Sequence, residues 1–188
     1  MEFLKNLNWV DIVLILLVVR IIYSGGKAGF VVEFIKTIGL FFAMLMAFHF
    51  FARLAALGIH FVLIPKPWLQ AAAFILIWLT GVIVFKLIRE GFLLAFTIQP
   101  LPLIDRWGAV LLAVVRSMLT ASMVLFVFLM TAHPYLQNMT RTSLSHKYVI
   151  NIAPKAYHQV TLGFIAAVMP GVRVNPVVGE VLTKAPKK

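Results

Sequence analysis

The sequence predicts an all-α integral membrane protein: a four-helix bundle of spanning helices with a short C-terminal peripheral helix and tail. Three observations predict it. The 188 residues are 62% hydrophobic and only 12% charged, whereas soluble domains carry about 25% charged residues. The mean hydropathy is +1.00. Four apolar stretches, each near the length that crosses a ~30 Å hydrocarbon core, are separated by glycines, prolines and basic residues.

Residues 7–23 form the first expected span, bracketed by Trp9 and Tyr23 as interfacial aromatics. A helix of this length covers about 25 Å, slightly short of the apolar core, so charges near its ends must snorkel. Ser24, Gly25, Gly26, Lys27, Ala28 and Gly29 then read as a tight turn, because glycine adopts backbone angles that other residues resist. The second span, 30–52, opens with Glu33 and Lys36, is rich in phenylalanine and closes at Arg53. A semi-apolar connection follows and ends at Pro65 and Pro67, which cannot continue a helix. The third span, 68–85, carries no charge; Lys86, Arg89 and Glu90 end it. Residues 92–98 are apolar but too short to cross, and read as an interfacial helix or a re-entrant bend. The fourth span covers 107–132.

Together these make a transmembrane domain over 1–135. A basic region over 136–188 follows, with a peripheral helix at about 157–169 and a loose tail from Pro176. The first apolar run carries Asp11 and Arg20 and no convincing cleavage site, so the N-terminal segment is expected to remain as a helix.

Charge and motif content exclude several function classes. The net charge of +11 does not indicate nucleic acid, because much of it lies between or beside apolar spans, where basic residues anchor a protein to the membrane. With no cysteine there is no disulfide, thiolate metal site or cysteine nucleophile. The five histidines show no helical metal spacing, and Gly25-Gly26-Lys27 lacks the spacing of a phosphate-cradling loop. Ser117, Thr120 and Ser122 lie on an apolar helix with no base nearby in sequence. No catalytic, cofactor-binding or metal-binding residue is therefore expected.

The residues of interest are charges inside apolar runs. Arg116 lies ten residues beyond Arg106, about 15 Å deeper along a helix. An arginine at membrane depth costs a few kcal/mol and requires a partner; Glu33, on the same membrane side, is reachable. Asp105, Arg106, Arg116 and Glu33 form either a polar site on one face of the bundle or structural ion pairs that fix helix register. Asp11 is either a proton or cation ligand or an acid favouring the positive N-terminal end of its helix. Gly25 and Gly29 are four apart and are either turn residues or a close helix contact. Ala109, Ala113, Ser117 and Ala121 recur every four residues as a small-residue stripe, which serves packing within the protomer or self-association.

Three of these patterns also carry a family resemblance. Asn8-Trp9-Val10-Asp11 opens an apolar run, Gly29-Phe30-Val31-Val32-Glu33 opens the next, and Asp105-Arg106 is followed by Arg116. Together they resemble the colicin V production protein family, four-span proteins of the bacterial inner membrane, from about Trp9 to the end of the fourth span. Two departures stand out. The family commonly has arginine before Gly29-Phe30, where this chain has Ala28 with Lys27 one position earlier. It usually has glycines where this chain has Ala109, Ala113 and Ser117, all still small. The resemblance implies a multi-pass inner-membrane location. It also implies a non-enzymatic accessory or scaffold role in making or exporting the peptide toxin colicin V, or in envelope homeostasis. The family is also similar to the membrane portion of envelope-stress proteins. The expected partners are the lipid bilayer and a second copy or another envelope protein, with no nucleic acid. The alternative class is an oligomeric channel or transporter subunit using Glu33, Asp105 and Arg116. Four spans put both termini on one side. The basic residues near the membrane balance, with Arg20, Lys27, Lys86, Arg89 and Arg106 on one side and Lys5, Arg53, Lys66, Arg141 and Lys147 on the other. The greater weight of short connections sets the expectation of both termini outside the cytoplasm.

Overall fold

The computed structural model describes residues 8–59, 64–95, 102–131, 133–168 and 173–183. Among them there is no strand. Four long helices, α1 (Trp9–Ala28), α2 (Phe30–Gly58), α3 (Lys66–Ala95) and α4 (Pro102–Met130), are each apolar and long enough to cross a membrane. Shorter helices follow: α5 (Pro134–Thr142), α6 (Leu144–Val149), α7 (Ile152–Val160), which runs through a π-helical turn (Thr161–Ile165) into α8 (Ala166–Val168), and α9 (Pro176–Thr183).

The helices are longer than the sequence pattern suggests, for identifiable reasons. The turn expected over 24–29 contracts to one residue. Gly29, at φ +83°, ends α1 and begins α2, while Gly25 and Gly26 stay helical. This lengthens α1 to 20 residues, about 30 Å and a full crossing. α3 does not stop at Phe85 but continues through Lys86, Arg89 and Glu90 to Ala95, with Lys86 and Glu90 paired one turn apart. Phe92 to Ala95 therefore extend α3 rather than form a separate interfacial piece; 96–98 lie outside the described residues. α4 begins at Pro102, since proline suits the first turn of a helix, and so places Asp105 in its opening turn.

The spans pack in the order α1, α4, α2, α3, with α4 and α2 central and α1 and α3 outermost. Small residues set the close approaches. A Cβ built on Gly81 of α3 would lie 2.7 Å from Ala43 Cβ and 3.0 Å from its Cα, so the α2 and α3 backbones come together there. The core is aromatic: Phe48 of α2 meets Phe74 of α3 at 5.1 Å and Phe126 of α4 at 4.9 Å, both edge-on, and stacks on Tyr157 of α7 at 5.5 Å. Such geometries add to area burial.

Tyr157 also corrects the expectation for 136–188. The helix expected at 157–169 starts at Ile152 and docks into the bundle through Ala153, Pro154 and Tyr157, all buried. Ser122 of α4 donates to the Ile150 carbonyl at 2.9 Å and accepts from the Ala153 amide at 3.0 Å. The region expected as a loose tail carries α9, whose Val178 is buried. Just before it, Asn175 donates through its side chain to the Phe48 carbonyl at 3.0 Å and through its amide to Tyr157 Oη at 3.1 Å. The Ser122 hydroxyl of α4 would otherwise be unsatisfied in an apolar setting, and the C-terminal region satisfies it, while Asn175 adds a second donor to a carbonyl of α2. The outward side of this helix exposes Leu162 and Phe164.

The Gly81 contact gives a sign test. Gly91, with nothing within 4 Å of a built Cβ, gains helix propensity on Gly91→Ala, up to about 1 kcal/mol. Gly81→Ala loses about 1–3 kcal/mol through overpacking. Thermal unfolding of the two purified variants should move in opposite directions.

Candidate functional site

The charged residues of the spans gather at two ends of the bundle. At one end lie the C-terminus of α1, the N-terminus of α2, the C-terminus of α3 and the N-terminus of α4. Here Glu33, fully buried, is the centre. Its Oε1 meets Arg116 Nε at 2.5 Å and its Oε2 meets Lys36 Nζ at 3.2 Å. The Arg116 contact is an ion pair without the alignment of a hydrogen bond. One turn further along α2, Thr37 donates to the Glu33 carbonyl at 2.8 Å.

Gly25 explains how a carboxylate can be so enclosed. A Cβ there would collide with Ala113 Cβ and come within 3.2 Å of the Glu33 carboxylate. The bare glycine lets α1 close over the ion pair while α4 presents Ala113 beneath it. Ala109, Ala113, Ser117 and Ala121 are all buried inside the protomer. Ser117 Oγ bonds back to the Val114 carbonyl at 2.8 Å, and Thr120 to that of Arg116 at 2.9 Å. The stripe is thus a packing seam within one chain.

Asp105 does a separate job at the same end. Its Oδ1 accepts from the Phe30 amide at 2.6 Å, so a carboxylate from α4 caps the positive N-terminus of α2. The Gly29 turn makes room: a Cβ on Gly29 would lie 3.1 Å from both Asp105 oxygens. Arg106, next in sequence, is exposed and takes no part in the Glu33 cluster. The structure therefore brings Glu33 and Arg116 together, places Asp105 on the neighbouring helix start, and leaves Arg106 outside.

Asp11 lies at the opposite end of the bundle. It is buried, and its carboxylate is saturated. Oδ1 accepts from Ser143 Oγ and Ser145 Oγ, both at 2.6 Å, and from the Ser145 amide at 2.9 Å. Oδ2 accepts from the Leu144 amide at 3.3 Å and, reaching back, from the Asn8 amide at 3.2 Å. The Asn8 side chain adds a bond to Thr142 Oγ1 at 2.8 Å. Asp11 thus closes the start of α1 and also holds the start of α6. Ser143 itself caps α6 by accepting from Ser145 N. Nearby, burial and the Arg141 guanidinium push the His146 imidazole below its ordinary value of 6.5, which favours its neutral form.

Sequence reasoning missed the partners of Asp11. The only signal was Ser143-Leu144-Ser145 after a polar turn, a helix-start pattern that carries no information on which distant carboxylate it meets. It also treated Arg20, Lys86 and Arg89 as topology charges, although with Arg116 and Lys36 they line one cleft of about 840 Å³ between α1 and α3. No group of three or more histidine, aspartate or glutamate residues suited to a metal ion occurs among the described residues.

Four helices long and apolar enough to cross a membrane define a multi-pass helical membrane protein. The chain belongs to the colicin V production protein family, whose model matches residues 10–154. The match covers all four spans and continues through α5 and α6 to the start of α7. No curated protein and no solved structure matches the chain.

The serine clamp makes Asp11 a positioning group for α5 and α6. Asp11→Asn should weaken it by about 1.5–3 kcal/mol, the range for hydrogen bonds to a charged group. Hydrogen exchange at the amides of 143–146 should accelerate while exchange in the α2–α4 core stays unchanged. Unaltered exchange at the clamp would show that the carboxylate serves something other than this turn.

Proposed function

We propose that this chain is a non-enzymatic accessory or scaffold protein of the bacterial inner membrane that supports colicin V production or export and contributes to envelope homeostasis. Family membership supports the role in colicin V production. The observation that carries the scaffold reading is the use made of the three buried or half-buried acids. Glu33 ties α2 to α4, Asp105 ties α4 to the start of α2, and Asp11 ties α1 to the C-terminal region. Each is engaged by protein groups. A conduit would leave such carboxylates facing a water-filled path. Here Gly25 and Ala113 occupy the space beside Glu33, which weakens the alternative of a channel or transporter subunit.

A scaffold acts through its surface, and that surface is suited to lipid and to other helices. Leu16, Val19 and Tyr23 of α1, and Leu111 and Val115 of α4, are exposed. A second copy or another envelope protein is the proposed partner. The proposed orientation puts both termini outside the cytoplasm. The short α1–α2 connection and the α3–α4 end carry Arg20, Lys27, Lys86, Arg89 and Arg106, matched in number by Lys5, Arg53, Lys66, Arg141 and Lys147 on the other side of the expected topology. The proposal rests on the greater weight of basic residues near short connections, which favour the cytoplasmic side.

A bacterium that makes colicin V and lacks its own family member provides the test. This chain should restore the zone of killing on a sensitive lawn. Photo-crosslinkers at Leu16 and Leu111 should capture a defined membrane protein. Restored killing without any cross-linked partner, together with ion flux through vesicles holding the pure protein, would overturn the scaffold reading in favour of the channel.

A further inference from the structure

The cleft between α1 and α3 carries a charge imbalance that the scaffold reading does not use. Arg20 of α1, Lys36 of α2, Lys86 and Arg89 of α3, and Arg116 of α4 all line it. All four spans contribute, so the fold assembles the cluster rather than any one segment. Only two carboxylates answer these five cations. Glu33 takes Arg116 and Lys36, and Glu90 is shared by Lys86 at 3.9 Å and Arg89 at 3.5 Å. Arg20 forms no ion pair among the described residues. Two further buried donors on lining residues, Trp78 Nε1 and Arg89 Nε, have no hydrogen-bond partner among the described residues.

The position of the cations matters as much as their number. Arg20 lies eight residues before the end of α1, and Lys36 six residues after the start of α2. Those offsets are about 12 and 9 Å of helix, inside the two segments that are long and apolar enough to cross a membrane. Five cations against two carboxylates in an apolar segment call for a further anion. The rest of the wall is mostly apolar, with Leu40, Leu79, Val82 and Phe85 beside the hydroxyls of Ser24 and Thr120. The cleft of about 840 Å³ is far larger than one small ion needs and lies within the range of pockets for drug-sized ligands. A free anion would satisfy the charges and leave these walls in contact with water. A phosphate carried on a hydrocarbon chain satisfies both.

We infer that this cleft is a binding site for the phosphate headgroup of an anionic lipid, with Arg20, Lys36, Lys86, Arg89 and Arg116 around the phosphate and the start of its chain against Leu40, Val82 and Phe85. Basic pockets between spanning helices recognise headgroups in this way. The assignment stands apart from the scaffold reading, because it concerns which lipid the bundle holds and not which protein it serves.

Native mass spectrometry of the full chain in an uncharged detergent tests it, with short-chain phosphatidylglycerol, short-chain phosphatidylcholine and inorganic phosphate as the three probes. Phosphatidylglycerol should bind at least about tenfold more tightly than phosphatidylcholine, as expected for two or more cations each contributing at membrane level. Arg20→Gln and Lys86→Gln should each weaken it about fivefold, while Arg20→Lys and Lys86→Arg retain it. Equal affinity for the two lipids, or undiminished phosphatidylglycerol binding in the double glutamine variant, would overturn the site. Inorganic phosphate binding as tightly as phosphatidylglycerol would overturn the lipid and leave a free-anion site. If the glutamine variants do not fold, salt decides with the wild-type chain. Affinity for phosphatidylglycerol must fall as ionic strength rises, and a salt-independent affinity would contradict the inference.

Discussion

A carboxylate with no access to solvent must be paired, and Glu33 is the group on which this bundle turns. Burying a charge is expensive, and the attraction of its partners offsets the desolvation only when they are held close. Arg116 and Lys36 are held close because three backbones converge there. α2 supplies the acid, α4 the arginine, and α1 passes over both at Gly25. The small residues of α4 and the glycine of α1 are consequences of this pairing as much as contributors to packing. A larger side chain at position 25 or 113 would separate the helices and strand the charges.

The opposite end solves a similar problem with neutral donors. Asp11 is surrounded by hydroxyls and amides of Ser143, Leu144 and Ser145, with no cation in hydrogen-bonding contact among the described residues. Its charge therefore orders a segment more than a hundred residues away in sequence. Ser122 and Asn175 extend the same logic, each satisfying backbone groups of another element. The C-terminal region is consequently a structural part of the bundle. The family match, which continues past α4 to residue 154, includes the clamp residues.

Hydropathy and punctuation made the four spans readable, because the bilayer demands long apolar helices and little else produces them. The Glu33–Arg116 partnership was also legible, since both lie on one side of the membrane and an intramembrane arginine needs an acid. Three features were not legible. The break between α1 and α2 narrowed from six residues to one, because Gly25 serves a contact whose other half, Ala113, lies on a helix far away in sequence. The C-terminal region looked peripheral because its composition is mixed. Its attachment depends on Tyr157 reaching Phe48 and His49, and on single hydrogen bonds that leave no periodic trace. The basic cleft was hidden because Arg20, Lys86 and Arg89 read equally well as topology signals. Only the packing of all four spans places them around one space.

The coupling between Glu33 and Arg116 holds together their end of the bundle. A double-mutant cycle in the full chain, with Glu33→Gln, Arg116→Met and the pair combined, followed by thermal unfolding in detergent, measures it directly. Each single change should cost about 3–5 kcal/mol by leaving a buried charge alone. The double variant should lose less than the sum, with an interaction of at least about 1 kcal/mol. Additive losses would mean that the two residues act independently, and the bundle would then have to be held by its aromatic core and small-residue contacts alone.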